Sequence, residues 1–198
     1  QGICFVGKVD LPAFLQQKLK PKRGEIIEIP AEAPVYQPVV VGETEEELNE
    51  QTSPYYYLPE MGEVAGSHMG AHFYTIGQRK GLNVGGKPEP LFVIATDIDR
   101  NVIYTGQGKM HPGLFRNGLF VRKEELHWVR PDLEMVPGEE RDYQVRIRYR
   151  QPLQQARLFC REEGMYIIFE DPQRGIAAGQ FAAWYDDGEV IGSGVINA

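Results

Sequence analysis

The chain has 198 residues, 42% of them hydrophobic and 25% charged, with a net charge of −7. Such a composition is that of an ordinary globular protein, and the length suits one large domain or two small ones. No apolar run approaches the ~20 residues of a membrane-spanning helix, no signal peptide is visible, and two cysteines (Cys4 and Cys160) are too few for a disulfide scaffold, so a cytoplasmic protein with no membrane partner is expected.

The acidity is confined to one segment. Residues 25–65 hold ten glutamates and no Lys or Arg, whereas residues 1–24 carry a net +4 and residues 66–198 a net −1. A negative total therefore does not exclude a polyanionic partner for the rest of the chain.

Read from the start, Gly2-Ile3-Cys4-Phe5-Val6-Gly7 places a thiol almost at the first residue, with Lys8 close behind. Domain termini are usually loose, so an opening this abrupt reads as a piece of a longer chain. Lys8 and a helix N-terminus would favour the thiolate, while Asp10 opposes it; on local sequence alone a buried structural cysteine is the stronger reading. Asp10–Leu19 has a capping residue, Pro12 in the first turn and an apolar face of Leu11, Phe14, Leu15 and Leu19, which predicts a short helix. Thr44-Glu45-Glu46-Glu47 has the form of a capping box and predicts a second one.

The remaining elements read as strands: Gly24–Ile29, Val35–Val41, His72–Ile76, Leu91–Asp97, Val102–Thr105, Tyr143–Arg150, Gln155–Arg161, Met165–Phe169 and Glu189–Ile196. Turn signals such as Asp99-Arg100-Asn101 and Asp186-Asp187-Gly188 separate them. Short strands without alternating helices predict an all-β chain of small barrels. Gly85–Pro90 is the best linker, dividing the chain into 1–86 and 87–198, with an acidic insertion at about 30–65.

Two segments suit binding chemistry. In His72–Gly86, a glycine-punctuated loop carries Gln78, Arg79 and Lys80, an amide and two cations matched to phosphates or base edges; a turn with solvated charges fits the pattern equally well. In Tyr143–Arg161, Tyr143, Val145, Ile147 and Tyr149 alternate with Gln144, Arg146, Arg148 and Arg150, and Ala156, Leu158 and Cys160 alternate with Arg157 and Arg161. If these strands pair, five arginines share a face, and a bound polyanion would relieve their repulsion. The bland alternative is a solvated face with acidic neighbours. Cys160 belongs with the core residues, and His68, His72, His111 and His127 have no cysteine at zinc spacing, so no metal site is expected.

Together, Gly2–Gly7, Gly66-Ser67-His68-Met69-Gly70, Tyr74–Leu82, Gly106-Gln107-Gly108 with His111-Pro112, Leu126-His127-Trp128, Arg146–Gln151 and Gly179-Gln180-Phe181-Ala182 with Tyr185 resemble the bacterial-type tRNA-specific 2-thiouridylases, from residue 2 to about 196. The resemblance implies an SH3-like roll followed by a six-stranded barrel of the translation-factor type. It further implies thiolation of C2 of the wobble uridine, with Cys4 as the persulfide carrier and Arg148, Tyr149 and Gln180 as tRNA contacts. ATP and Mg2+ would serve the full-length enzyme, and a cysteine desulfurase or relay carrier would donate sulfur. These residues contain no Ser-Gly-Gly-x-Asp-Ser loop for ATP, so the piece alone is expected to bind no cofactor and to be inactive. The alternatives are a non-catalytic RNA-binding β-barrel module, which needs no thiol at Cys4, and a thiol enzyme pairing Cys4 with a histidine, which would act without ATP or tRNA.

Overall fold

A computed structural model describes residues 21–37 and 41–197. Cys4 and the helix expected over Asp10–Leu19 lie outside them. The described elements are eleven strands, one α-helix and several single 3-10 turns. They form two compact units, the described residues up to 35 with 57–114, and those of 36–56 with 115–197.

The first unit holds a four-stranded sheet in the order β2-β1-β4-β3, built from β1 (Gly24–Glu28), β2 (Glu63–His68), β3 (Leu91–Asp97) and β4 (Val102–Gln107). β1 pairs antiparallel with β2 and parallel with β4. Its core gathers Ile26, Ala71, Leu82, Leu91, Val93 and Ile103. The expected division at 86/87 assigns β3 and β4 to the second domain, yet both sit in the sheet of β1. The Gly85–Pro90 stretch is irregular, as a linker would be, but Lys87 ion-pairs with Glu28 at 2.5 Å and the Glu89 amide donates to Gln107. Those contacts tie it back onto the first sheet.

The second unit is a seven-stranded antiparallel sheet, β5-β9-β8-β7-β10-β11-β6, formed by β5 (Phe115–Arg122), β6 (Leu126–Trp128), β7 (Glu140–Arg146), β8 (Gln154–Arg161), β9 (Gly164–Arg174), β10 (Phe181–Asp186) and β11 (Glu189–Val195). It curls until Asn197, just past β11, bridges Phe120 on the far-edge strand, its amide donating to the Phe120 carbonyl at 2.9 Å. Seven strands appear where six were expected, because the three-residue β6 adds to the β11 edge. Inward-facing Leu119, Val145, Leu158, Ile167, Ala182 and Trp184 fill the interior. Asp187 and Gly188, both at positive φ, close the β10–β11 hairpin as the Asp-Gly signal predicts.

The segment 36–56 leaves the first unit and packs on the second. Its helix α1 (Glu45–Thr52) opens on the expected capping box: Thr44 Oγ1 accepts from the Glu47 amide, and the Glu47 carboxylate accepts from the Thr44 amide at 3.0 Å. Leu48 is buried with Phe159 and Tyr166, and Asn49 accepts from the Tyr166 hydroxyl at 3.1 Å. Arg116 donates to the carbonyl of Thr52. Within the 30–65 stretch, residues 45–52 are thus a helix built into the second unit.

Two expected strands are not formed. His72–Ile76 instead begins with a 3-10 turn over Ala71–Phe73, bracketed by Gly70 and Gly77 at positive φ, which break extended pairing. Pro34–Tyr36 is likewise a 3-10 turn, and the described part of Val35–Val41 joins neither sheet. β2, β5, β6 and β10 were not anticipated. Glycines and polar residues interrupt the alternation of the first two, and β6 has only three residues.

Candidate nucleic-acid interface

The expected site residues fall in separate units. Gln78, Arg79 and Lys80 belong to the first. The Gln78 side chain is committed to its own loop: its Oε1 accepts from the Thr75 amide and its Nε2 donates to the Lys80 carbonyl at 2.8 Å. The Gln78 and Val93 backbones also bond, anchoring the loop on β3. Gln78 therefore shapes the turn, while Arg79 and Lys80 are the exposed cations it presents.

In the second unit, β7 ends at Arg146, and residues 147–151 form the tip of its hairpin with β8. The strand alternation lapses there, so Tyr149 does not join the core as the pattern suggests. It is 88% exposed. The tip is nonetheless braced: the Arg146 Nη1 donates to the Tyr149 carbonyl, Arg148 Nη2 donates to the Gly175 carbonyl at 2.9 Å, and Gln151 bonds to Gln173 at 2.6 Å. Arg146 also lies over the Tyr185 ring, 5.4 Å from its centroid.

The five-arginine face does not form. β7 and β8 pair as expected, but the register sets Arg157 opposite Asp142, and Glu140 ion-pairs with both Arg157 and Arg161 at 3.1 Å. Repulsion across the strands is thereby compensated within the fold. What remains is a smaller cluster at the hairpin end, Arg146, Arg148 and Arg150.

Gln180 stands beside that cluster. β10 pairs with β7 through Ala183 and Arg146, so the residues just before Ala183 run alongside the hairpin tip. The Gln180 side chain belongs to an exposed residue, while its carbonyl accepts from the Ile196 amide at 2.7 Å. Arg146, Arg148, Tyr149, Arg150 and Gln180 thus converge on one end of the barrel, on backbone that is hydrogen-bonded in place. Phe181, absent from the sequence expectation, shares that end and is 63% exposed. Alternation of outward Phe181, Ala183 and Tyr185 with buried Ala182 and Trp184 is the signal that marks it.

The histidines are mostly structural. His111 is buried, its Nδ1 accepting from the Gly113 amide and its Nε2–H directed to the Ile29 carbonyl at 3.0 Å. His68 Nδ1 accepts from the Gly70 amide at 2.9 Å. Burial pushes both imidazoles below the ordinary histidine value. Cys160 is buried with its Sγ 3.6 Å from the Met135 carbonyl, and burial raises its thiol. Among the described residues no three His, Cys, Asp or Glu side chains group as metal ligands, and no helix is long and apolar enough to cross a membrane.

The fold and this barrel end define a β protein of two units, a small sheet followed by a barrel that carries an arginine–aromatic end. The family described as tRNA methyl transferase PRC-barrel domain matches residues 45–107, and that described as aminomethyltransferase beta-barrel domain matches 120–196. The tRNA-specific 2-thiouridylase MnmA of Flavobacterium johnsoniae is 55% identical over 199 residues, covering all of this chain and 50% of that protein. The protein of the same name from Christiangramia forsetii is also 55% identical with the same coverage, and that of Halalkalibacterium halodurans is 34% identical over 99% of this chain and 43% of that protein. Over the part it spans, the chain belongs to the tRNA-specific 2-thiouridylase family and corresponds to the central and C-terminal domains. It spans about half the length of the curated relatives it matches.

Proposed function

We propose that this chain is the sulfur-relay and tRNA-recognition part of an enzyme that thiolates C2 of the wobble uridine of tRNA. The observation that carries the reading is the kinship along all of the chain to proteins named tRNA-specific 2-thiouridylase. The convergence of Arg146, Arg148, Tyr149, Arg150 and Gln180 on one barrel end supports a polyanion-binding surface there, since guanidinium groups on a braced backbone contact phosphates at little ordering cost. Arg79 and Lys80 add cations on the first unit.

Cys4 is the catalytic residue of the proposal. ATP with Mg2+, bound by the remainder of the full-length protein, supplies adenylation of the uridine oxygen and so makes it a leaving group. Cys4 holds the sulfur as a persulfide, received from a donor protein such as a cysteine desulfurase or relay carrier. Its terminal sulfur bonds to C2 as the adenylated oxygen departs with AMP. The thiolate of a second cysteine elsewhere in the full-length protein then attacks Cys4 Sγ, forming a disulfide, breaking the persulfide S–S bond and leaving the outer sulfur on C2. A thiol reductant restores both cysteines. This is covalent catalysis by an activated thiolate. Cys160, buried and with its thiol raised, cannot substitute. The chain alone should be inert toward tRNA.

The test is Cys4→Ser in the full-length protein, with 2-thiouridine measured in tRNA digests. Loss of 2-thiouridine with tRNA binding retained is the expected result. Thiolation at the wild-type level would refute the assignment and leave the non-catalytic binding module as the better account.

A further inference from the structure

Phe181 stands open to solvent at the first position of β10, although a phenylalanine there could have turned inward only by displacing buried Ala182 and Trp184 from the core. Its backbone is fixed from one side, paired with Val195 of β11, and the preceding Gln180 is held by Ile196. Tyr149, the most exposed aromatic ring in the described residues, projects from the neighbouring hairpin tip. Arg146, Arg148 and Arg150 belong to the same hairpin end as Tyr149, with Arg146 bonded to the Tyr149 carbonyl. The one glutamate of β7, Glu140, lies at the opposite end of that strand, engaged with Arg157 and Arg161. Two rigidly mounted, solvent-facing aromatic rings among cations match what unpaired nucleotides require: flat faces for the bases, positive charge for the phosphates. A continuous duplex would offer stacked, covered bases that such rings cannot reach.

We propose that Phe181 is a stacking platform for an unpaired base of the bound RNA, with Tyr149 beside it. The inference rests on the reading that this barrel end faces tRNA, and goes beyond it by naming a base contact and the single-stranded character of the RNA at that point.

The test uses the full-length protein, an unmodified tRNA transcript and a fully paired RNA duplex of similar length. Phe181→Ala should weaken tRNA binding by roughly 5- to 150-fold, the range spanned by one base–aromatic stack. It should leave duplex binding unchanged. The slope of log affinity against log salt should also stay the same, because no phosphate contact is lost. Phe181→Trp should restore binding, and Phe181→Leu, apolar but not aromatic, should not. Arg148→Ala serves as the control for the underlying reading, since it should weaken binding and lower the salt slope. If Arg148→Ala does so while Phe181→Ala or Phe181→Leu binds tRNA as wild type does, stacking is overturned and the tRNA-facing end survives. If neither Arg148→Ala nor Phe181→Ala changes tRNA binding, the tRNA-facing reading itself falls. A lowered melting temperature for Phe181→Ala with unchanged tRNA affinity would mean that the ring packs against protein, which also overturns the proposal.

Discussion

Replacing Leu48 with alanine should release α1 from the barrel. An isolated eight-residue helix is unstable in water, so α1 exists because its one apolar side chain is docked. Leu48 has no exposed surface and meets Phe159 and Tyr166, with Phe120 and Ile168 against the same cluster. Those partners sit on β5, β9 and β8, three consecutive hydrogen-bonded strands of the sheet, whose pairing keeps them from moving inward to fill the vacancy. A Leu→Ala change then loses both the transfer energy and the contacts of an uncollapsed cavity, about 3–5 kcal/mol, the upper part of the range for such substitutions. Amide exchange by mass spectrometry reads this directly. Protection over residues 45–52 should fall by roughly 100- to 1000-fold or more, at about 1.4 kcal/mol per factor of ten, while β8 and β9 change far less. Undiminished protection of α1 would show that the capping box and the polar contacts hold the segment without Leu48.

Thr44→Ala removes the N-cap and should destabilise the same segment by about 1 kcal/mol, visible as a smaller loss of protection confined to 42–52. In Gly106→Ala the new methyl runs into the imidazole of His111, and overpacking of that kind should cost the first unit about 1–3 kcal/mol in chemical denaturation. His68 and His111 titrate below their unfolded value, so the unfolded chain binds more protons; the stability they contribute is complete above a pH of about 6.5 and declines as pH falls toward the folded values. Melting curves of the first unit should therefore be flat from about pH 8 to 7 and drop below about 6.5, and a rise on acidification would contradict the buried neutral imidazoles. Cys160 should resist maleimide at neutral pH in the folded protein and react on unfolding, as followed by mass.

The all-β class, the three consecutive strands β7, β8 and β9 and the capping box were legible in the sequence because each rests on local periodicity or a fixed offset. Leu91–Asp97 was bounded correctly from pattern alone, since buried Val93 and Ile94 sit in a plain apolar run closed by a turn. The partition of the chain was not legible. Nothing local to residues 36–56 says that they pack on strands more than a hundred positions later, nor that β1 pairs in parallel with β4. The arginine face failed for a related reason: counting residues located the charges, but only the register revealed that Glu140 reaches two of them. At the barrel end the resemblance named Arg148, Tyr149 and Gln180, and the geometry supplied what pattern could not, an exposed Tyr149 and a Phe181 beside it.

The excursion of residues 36–56 also sets an order of events during synthesis. Asn49 and Glu43 bond to residues 117 and 118 positions further along the chain. At the usual pace of translation, about 5–20 residues per second, that gap amounts to roughly 6–24 s. For that interval α1 has been made and its binding groove has not, so Leu48 emerges from the ribosome with nothing to cover it. The barrel, in turn, cannot be finished from its own contiguous stretch. Made as two separate chains divided anywhere between residues 57 and 114, one piece would carry α1 and the other the strands on which it packs.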